Sequence, residues 1–361
     1  MVWTTPRYSN TRRTNAGVAL AQDRESAEDL LVIDNWRSSH AAPLQVIKML
    51  LKGRAKSVDA SAIVAQRLKR LPSIRAKLQR ESMRLPQMQD LGGCRAIVKD
   101  MTALRRLTEK FDQAFEKNPT ERHGRIDKTD YIESPKADGY RSIHYVLSYQ
   151  SKAAHMQSFR GHLIEVQIRT RMQHAWATAV EIVDTFTGQS LKSALKTNIG
   201  DPTWRRFFAV CGSVFADGEG SPTVAGAWES SQATIAELKE LAQQTNVVHV
   251  LQGLSAAVNN TYSPDVTRAF SNFVLRLDAK ERVVTISSFG REDQAQQYLF
   301  DEEQKVSSDP NIQIVQVSVE QMQALKAAYP NYYLDTSFFL GALAGSIDRL
   351  KRKRRQNIKR P

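Results

Sequence analysis

The stretch Leu163-Ile164-Glu165-Val166-Gln167-Ile168-Arg169-Thr170 decides how this chain is read. Apolar and polar residues alternate from Leu163 to Arg169, the period of a β-strand buried on one face. Ile164, Val166 and Ile168 point to a core, and Glu165, Gln167 and Arg169 share the opposite face. That face sets an acceptor-only carboxylate, an amide and a fixed cation side by side, as a polar, charged ligand requires. A merely solvated strand face would show the same alternation, so the reading turns on what lies upstream.

Ala60 to Leu71 reads as a second strand, ended by Pro72. Arg67 and Lys69, two apart, share a face. Ser73 reads as the N-cap of a short helix, Ile74 to Met83, that carries Lys77 one turn in. Two cations at a strand end, a helix N-terminus and a third cation make a polyphosphate cradle; the alternative is an ordinary basic surface. Asp90-Leu91-Gly92-Gly93-Cys94-Arg95 leads into a buried strand, Ala96-Ile97-Val98. The paired glycines allow close backbone approach. An acid just before a core strand suits Mg²⁺, which takes one or two carboxylates plus phosphate oxygens. Asp100 is placed to cap a helix reaching about Glu116, with Leu104, Leu107 and Phe111 inward. Arg122 to Tyr131 reads as a strand. In Lys136-Ala137-Asp138-Gly139-Tyr140-Arg141-Ser142-Ile143-His144, Gly139 marks a turn. Beyond it Ile143, Tyr145 and Leu147 fill one strand face, while Tyr140, Ser142 and His144 take the other. Tyr140 stands where a purine could stack. After Thr170 a helix to about Asp184 buries Met172, Trp176, Ala179 and Val183.

The 361 residues imply about two domains. With 41% apolar and 25% charged residues the composition is that of a globular protein. No apolar run approaches the ~20 residues of a bilayer span. Only two cysteines are present, which excludes a disulfide scaffold and a Cys-rich zinc site. The seven histidines form no H-x-x-x-H and no His-Asp pair, so a His-built metal centre is unsupported. A reducing cytoplasm fits. Eight of the 13 net positive charges fall in residues 349–361, leaving +5 for the rest. Such a tail suits RNA, a ribosome or an acidic membrane surface, or serves only to solubilise.

The four linked motifs, Arg67-x-Lys69-x-x-x-Ser73-Ile-x-x-Lys77, Asp90-Leu-Gly-Gly-Cys-Arg95, Lys136-x-x-Gly139-Tyr140-Arg-Ser142-Ile-His144 and Glu165-Val-Gln167-Ile-Arg169-Thr, resemble the RelA/SpoT synthetase domain in order and spacing. The resemblance covers about residues 25 to 187. It implies an α+β fold, a mixed β-sheet of nucleotidyltransferase type flanked by helices. It also implies transfer of pyrophosphate from ATP to the ribose 3′-hydroxyl of GTP or GDP, giving the alarmone (p)ppGpp and AMP. Carried over, Arg67 and Arg95 sandwich the adenine, Lys69 and Lys77 hold the ATP phosphates, and Ser73 is a further ATP-binding residue. Asp90 and Glu165 bind Mg²⁺, and Glu165 is the base on the 3′-hydroxyl. Tyr140 stacks the acceptor guanine, helped by Lys136, His144, Gln167 and Arg169. Three departures stand out. Asp138 replaces an Asn common in the family, and Val180-Glu181 replaces a Glu-His pair of many small members. Without a His-Asp pair, the alarmone hydrolase of long members is expected to be absent. Toxic members of the family instead modify the 3′ end of tRNA or make adenosine alarmones, which is the alternative function; a non-catalytic RNA- or ribosome-binding protein is the second.

The expected organisation is a disordered tail over 1–22 (or a transit peptide), the synthetase domain over 23–187, and a helical segment over 188–262. A small ββαβα module over 263–348 and the basic tail over 349–361 follow. The helices are expected at about 26–40, 43–52, 189–197, 203–216, 225–245, 248–259, 291–304 and 319–328. The later strands are expected at about 267–277, 282–289 and 312–318. The second half offers no catalytic constellation; regulation, oligomer contacts and a structural extension all remain open for it.

Overall fold

The computed structural model describes residues 3–116, 124–187, 201–256, 259–262, 272–278, 280–281, 283–306, 309, 311–318 and 336–358. The fold is α+β, built on one mixed sheet with helices against it. Its strands are β1 (Ile63–Leu68), β2 (Gly92–Val98), β3 (Gly124–Asp130), β4 (Ile143–Ser148), β5 (Leu163–Thr170), β6 (Asn259–Tyr262), β7 (Asn272–Asp278), β8 (Val283–Phe289) and β9 (Ile312–Ser318). Their order is β3-β4-β5-β2-β1-β9-β7-β8-β6. Pairing is antiparallel except for β2 with β5 and β6 with β8.

The alternation in β5 behaves as its sequence dictates. Ile164, Val166 and Ile168 are fully buried. They join Ile143, Tyr145 and Leu147 of β4 in a core closed by α3 (Ala41–Val58) and α5 (Met101–Glu116). Asp100 caps α5 by accepting the Ala103 N–H at 2.8 Å. The break expected around Pro43 falls before it: α2 spans Ala27–Ser38 and α3 begins at Ala41. Pro43 therefore sits in the first turn, where its missing N–H costs nothing.

Several expectations need correction. Residues 1–22 are not simply a disordered tail, because α1 spans Asn10–Ala21. Ser9 caps it, Ala16 and Leu20 are buried, and the Arg13 guanidinium lies 4.0 Å from the Trp36 ring centroid. Ser73 is not an N-cap: α4 spans Leu71–Arg80, with Arg70 at the cap and Pro72 in the first turn. The helix expected over 225–245 starts later, as α8 (Ser231–Thr245), after α7 (Pro202–Glu219) and before α9 (Val247–Ala256). The helices expected over 189–197 and 319–328 lie outside the described residues.

The C-terminal module is not a separate layer. β7 and β8 pair as the expected hairpin, α10 spans Glu292–Lys305, and β9 spans the expected residues. β9 also pairs with β1, at Gln66↔Ser318 and Arg67↔Val317, so one sheet runs through both halves. The last helix, α11 (Ser337–Ile358), leaves that module. Its Phe339, Leu343 and Leu350 enter a core shared with α6 (Arg171–Thr187), α7 and α8.

Candidate active site

The face of the sheet opposite α3 and α5 forms the floor of a cleft of about 360 Å³. Strand register lays the floor out in rows. Arg67 of β1 faces Gly93 of β2, which faces Glu165 of β5. The next row runs Ala65, Arg95, Gln167 and His144. Glycine at position 93 keeps the space between Arg67 and Glu165 open. Motifs separated by up to about 100 residues thus become neighbours through strand pairing alone.

Asp90 sits just before β2 and faces two cations. Its Oδ2 accepts from Lys69 Nζ at 2.7 Å and its Oδ1 from Lys77 Nζ at 3.0 Å. Burial opposes ionisation of this carboxyl, yet the two lysines hold it below the usual carboxylate range. Glu165 lies in a closed network. Arg169 Nη2 donates to the Tyr140 hydroxyl at 2.5 Å and to Gln167 Oε1 at 2.8 Å. The Tyr140 hydroxyl bonds His144 Nε2 at 2.7 Å, and His144 Nδ1 bonds Glu165 Oε1 at 2.9 Å. Gln167 Nε2 donates to Glu165 Oε2 at 2.8 Å. Because Arg169 can only donate, the tyrosine hydroxyl accepts from it, which frees the hydroxyl proton for His144 Nε2. That leaves the imidazole proton on Nδ1, aimed at Glu165. Burial, the largest single influence, would raise the Glu165 carboxyl, but His144 and Gln167 together outweigh it and the group lies below its ordinary value. Glu165 is therefore ionised at neutral pH and fixed in orientation.

The structure brings most of the expected residues to this cleft: Arg67, Lys69, Asp90, Arg95, Lys136, Tyr140, Glu165, Gln167 and Arg169 line it. Lys77 and His144 do not line it but bond the carboxylates that do, Asp90 and Glu165 respectively. Ser73, expected to bind ATP, does not line it; the helix starts three residues earlier than expected and places Ser73 inside the first turn. The Lys136 ammonium lies 5.0 Å from the Tyr140 ring centroid and 4.5 Å from that of Tyr131. A base stacking on that face of Tyr140 would take its place.

Sequence reasoning missed one wall. Trp176, Ala177, Val180 and Glu181 of α6 line the cleft together with Arg205 and Phe208 of α7. The α7 helix is locked to the turn that carries Tyr140. Trp176 Nε1 donates to the Phe208 carbonyl at 2.9 Å, and Arg141 donates to the carbonyls of Gly139 and Pro222. Gly139 has φ +95°, and a Cβ there would stand 2.9 Å from the Phe208 carbonyl oxygen. A Cβ on Gly212 would meet the Gly139 carbonyl at 3.0 Å. Only glycines permit this approach.

Residues 66–183 match the family described as the region found in RelA / SpoT proteins. Over 139 residues the chain is 30% identical to the bifunctional (p)ppGpp synthase/hydrolase SpoT of Escherichia coli strain K12, covering 38% of this chain and 18% of that protein. Over 121 residues it is 33% identical to the GTP pyrophosphokinase YjbM of Bacillus subtilis strain 168, covering 32% of this chain and 52% of that protein. The chain thus spans about half or less of the length of these curated relatives. Among solved structures, small alarmone synthetase 1 from Bacillus subtilis bound to its product pppGpp aligns with a TM-score of 0.37 and 25% identity, over 50% of this chain and 93% of that one. Small alarmone synthetase 2 from the same organism aligns at 0.31 and 20% identity, over 64% and 98%. Sheet and cleft define an α+β domain with a cationic site built round two carboxylates. The likeness to the region found in RelA / SpoT proteins is carried by residues 66–183.

Proposed function

We propose that this cleft transfers pyrophosphate from ATP to the ribose 3′-hydroxyl of a guanosine nucleotide, GTP or GDP, releasing AMP. The observation that carries the reading is the Glu165 network. It holds an ionised carboxylate beside a row of cations, in the middle of the sheet face where the four motifs converge. The 3′-oxygen attacks the β-phosphorus of ATP. The bond from that oxygen to the β-phosphorus forms, and the bond from the β-phosphorus to the α,β-bridging oxygen breaks. The bridging oxygen leaves with AMP, and the hydroxyl proton passes to Glu165. Such a transfer asks for alignment and charge neutralisation more than for covalent help. On this reading Arg67 and Arg95, diagonal neighbours on the floor, flank the adenine, since guanidinium planes stack well. Lys69 and Lys77 take the phosphates as point charges. Tyr140 stacks the acceptor base.

Asp90 and Glu165 offer carboxylate oxygens, the donors a hard cation takes. Among the described residues no group of three or more His, Cys, Asp or Glu could cage an ion. Two carboxylates suit Mg²⁺, which brings phosphate oxygens and waters with it, and Asp90 would then exchange a lysine contact for the ion. Bound there, Mg²⁺ would neutralise charge on the transferring phosphates.

The test is product analysis of purified protein given ATP, Mg²⁺ and GDP or GTP. AMP should form in step with loss of the guanosine nucleotide, and Asp90→Asn should cripple that turnover. ADP as the main adenine product, or turnover unchanged in Asp90→Asn, would contradict the assignment.

A further inference from the structure

We propose that Glu303, far outside the family domain, is a positioning residue for the donor half of the site, through which α10 and β9 brace the ATP-side strand and helix. The inference rests on the reading of Lys69, Lys77 and Asp90 as the donor subsite.

Glu303 is 6% exposed, and both of its carboxylate oxygens are used. Its Oε2 accepts from Arg37 Nη1 at 2.6 Å, and Arg37 is itself buried. Its Oε1 accepts from the backbone N–H of Leu71 at 3.3 Å. Leu71 is the first residue of α4, whose leading N–H groups need partners. The residue at the cap position, Arg70, supplies no side-chain bond to them. A carboxylate from 232 residues away takes that place, where the helix dipole also favours an anion. What α4 carries gives the contact its consequence. Lys77 grips Asp90, and Lys69, two residues before the helix, grips its other oxygen.

The neighbouring contacts fall on the same short segment. Arg70 Nη1 donates to Gln313 Oε1 of β9 at 2.6 Å, and Gln313 Nε2 donates to Thr185 Oγ1 of α6 at 3.0 Å. Among the described residues, the β9 strand pairs with β1 beside Gln66 and Arg67. Residues 66–71 are thus held from the C-terminal half at the strand, at the arginine and at the helix start. These are the residues that aim Arg67, Lys69 and Lys77.

The test uses the full chain with Glu303→Ala and Glu303→Gln. The glutamine keeps the shape but offers one acceptor oxygen where two are used. Without nucleotide, amide hydrogen exchange over residues 71–77 should quicken roughly fivefold in Glu303→Ala, the usual effect of losing a helix cap. The KM for ATP should rise by about the same factor, with the acceptor KM unchanged. If Glu303→Ala does not fold, Glu303→Gln should show the same two changes at smaller size. Unchanged exchange over residues 71–77, or equal rises in both KM values, would overturn the proposal. A wild-type protein that does not use ATP would count against the functional reading instead, and the exchange measurement would still decide the brace.

Discussion

Among single residues, Glu165 and the four side chains that fix it matter most for the proposed transfer. Glu165→Gln removes the proton acceptor while keeping the shape, and turnover should fall by about 10²–10⁴. A fall of less than tenfold in the initial rate of AMP release would deny Glu165 the role of base. Tyr140→Ala should raise the acceptor KM about tenfold or more, because stacking is worth roughly 1–3 kcal/mol, with the ATP KM little changed. Equal changes in both would remove Tyr140 from the acceptor subsite. Arg205 makes a similar prediction. It lines the cleft beside Trp176 and Phe208, so Arg205→Ala should weaken acceptor use about tenfold, as loss of a charge-assisted contact does, while ATP use holds. The floor residues were legible in the sequence because a period of two assigns each to a face. Arg205 was not: an Arg-Arg pair in an amphipathic helix looks like any solvated turn, and only packing against Gly139 aims it inward.

At the scale of elements, β5, β9 and α5 follow their sequence patterns closely, since burial of one face leaves little choice of register. The start of α4 was misread because a serine after a proline suggests a cap, whereas Pro72 itself belongs in the first turn. The α1 helix was missed because its apolar face is narrow, and it is held instead by the Ser9 cap, the Arg13 contact with Trp36 and the Arg12 pair with Asp29. The junction of α7 with the Tyr140 turn yields a prediction of its own. Gly212→Ala would push a methyl against the Gly139 carbonyl, so the turn must shift. Acceptor KM should rise while the melting temperature and ATP KM change little. Unchanged kinetics for both substrates would show that α7 does not set the acceptor wall.

At the scale of the whole molecule, what the sequence could not reveal is that its two halves share one sheet, because the β1–β9 pairing joins residues some 250 apart. Arg349 shows the same limit: counted with the basic tail, it pairs with Asp217 of α7 at 2.6 Å, so a truncation meant to test the tail must begin beyond it. Stability against pH probes the packing of the N-terminal helices on the sheet domain. His40 and His162 lie buried with ring centroids 4.6 Å apart, beside Trp36 and near Arg13. Burial pulls their imidazoles down to about 4 and about 2. The unfolded chain binds these protons more readily, so the stability from neutral burial is complete above pH ~6.5 and is lost as pH falls toward 4. At pH 5 the loss is about 2 kcal/mol per histidine. Glu292 opposes this trend, because burial raises its carboxyl to about 7 and stability wanes as pH rises toward that value. The histidine effect is therefore read as a difference: unfolding free energy between pH 6.5 and 4.5 should fall less steeply in His162→Gln than in wild type, and parallel curves would contradict it. For the central claim the direct measurement is transfer of label from γ-labelled ATP with Mg²⁺ to GDP, GTP, ATP or deacylated tRNA, each offered separately. Label should appear on the guanosine nucleotides with matching AMP release; label on tRNA or ATP alone, or none on any acceptor, would deny the cleft this reaction.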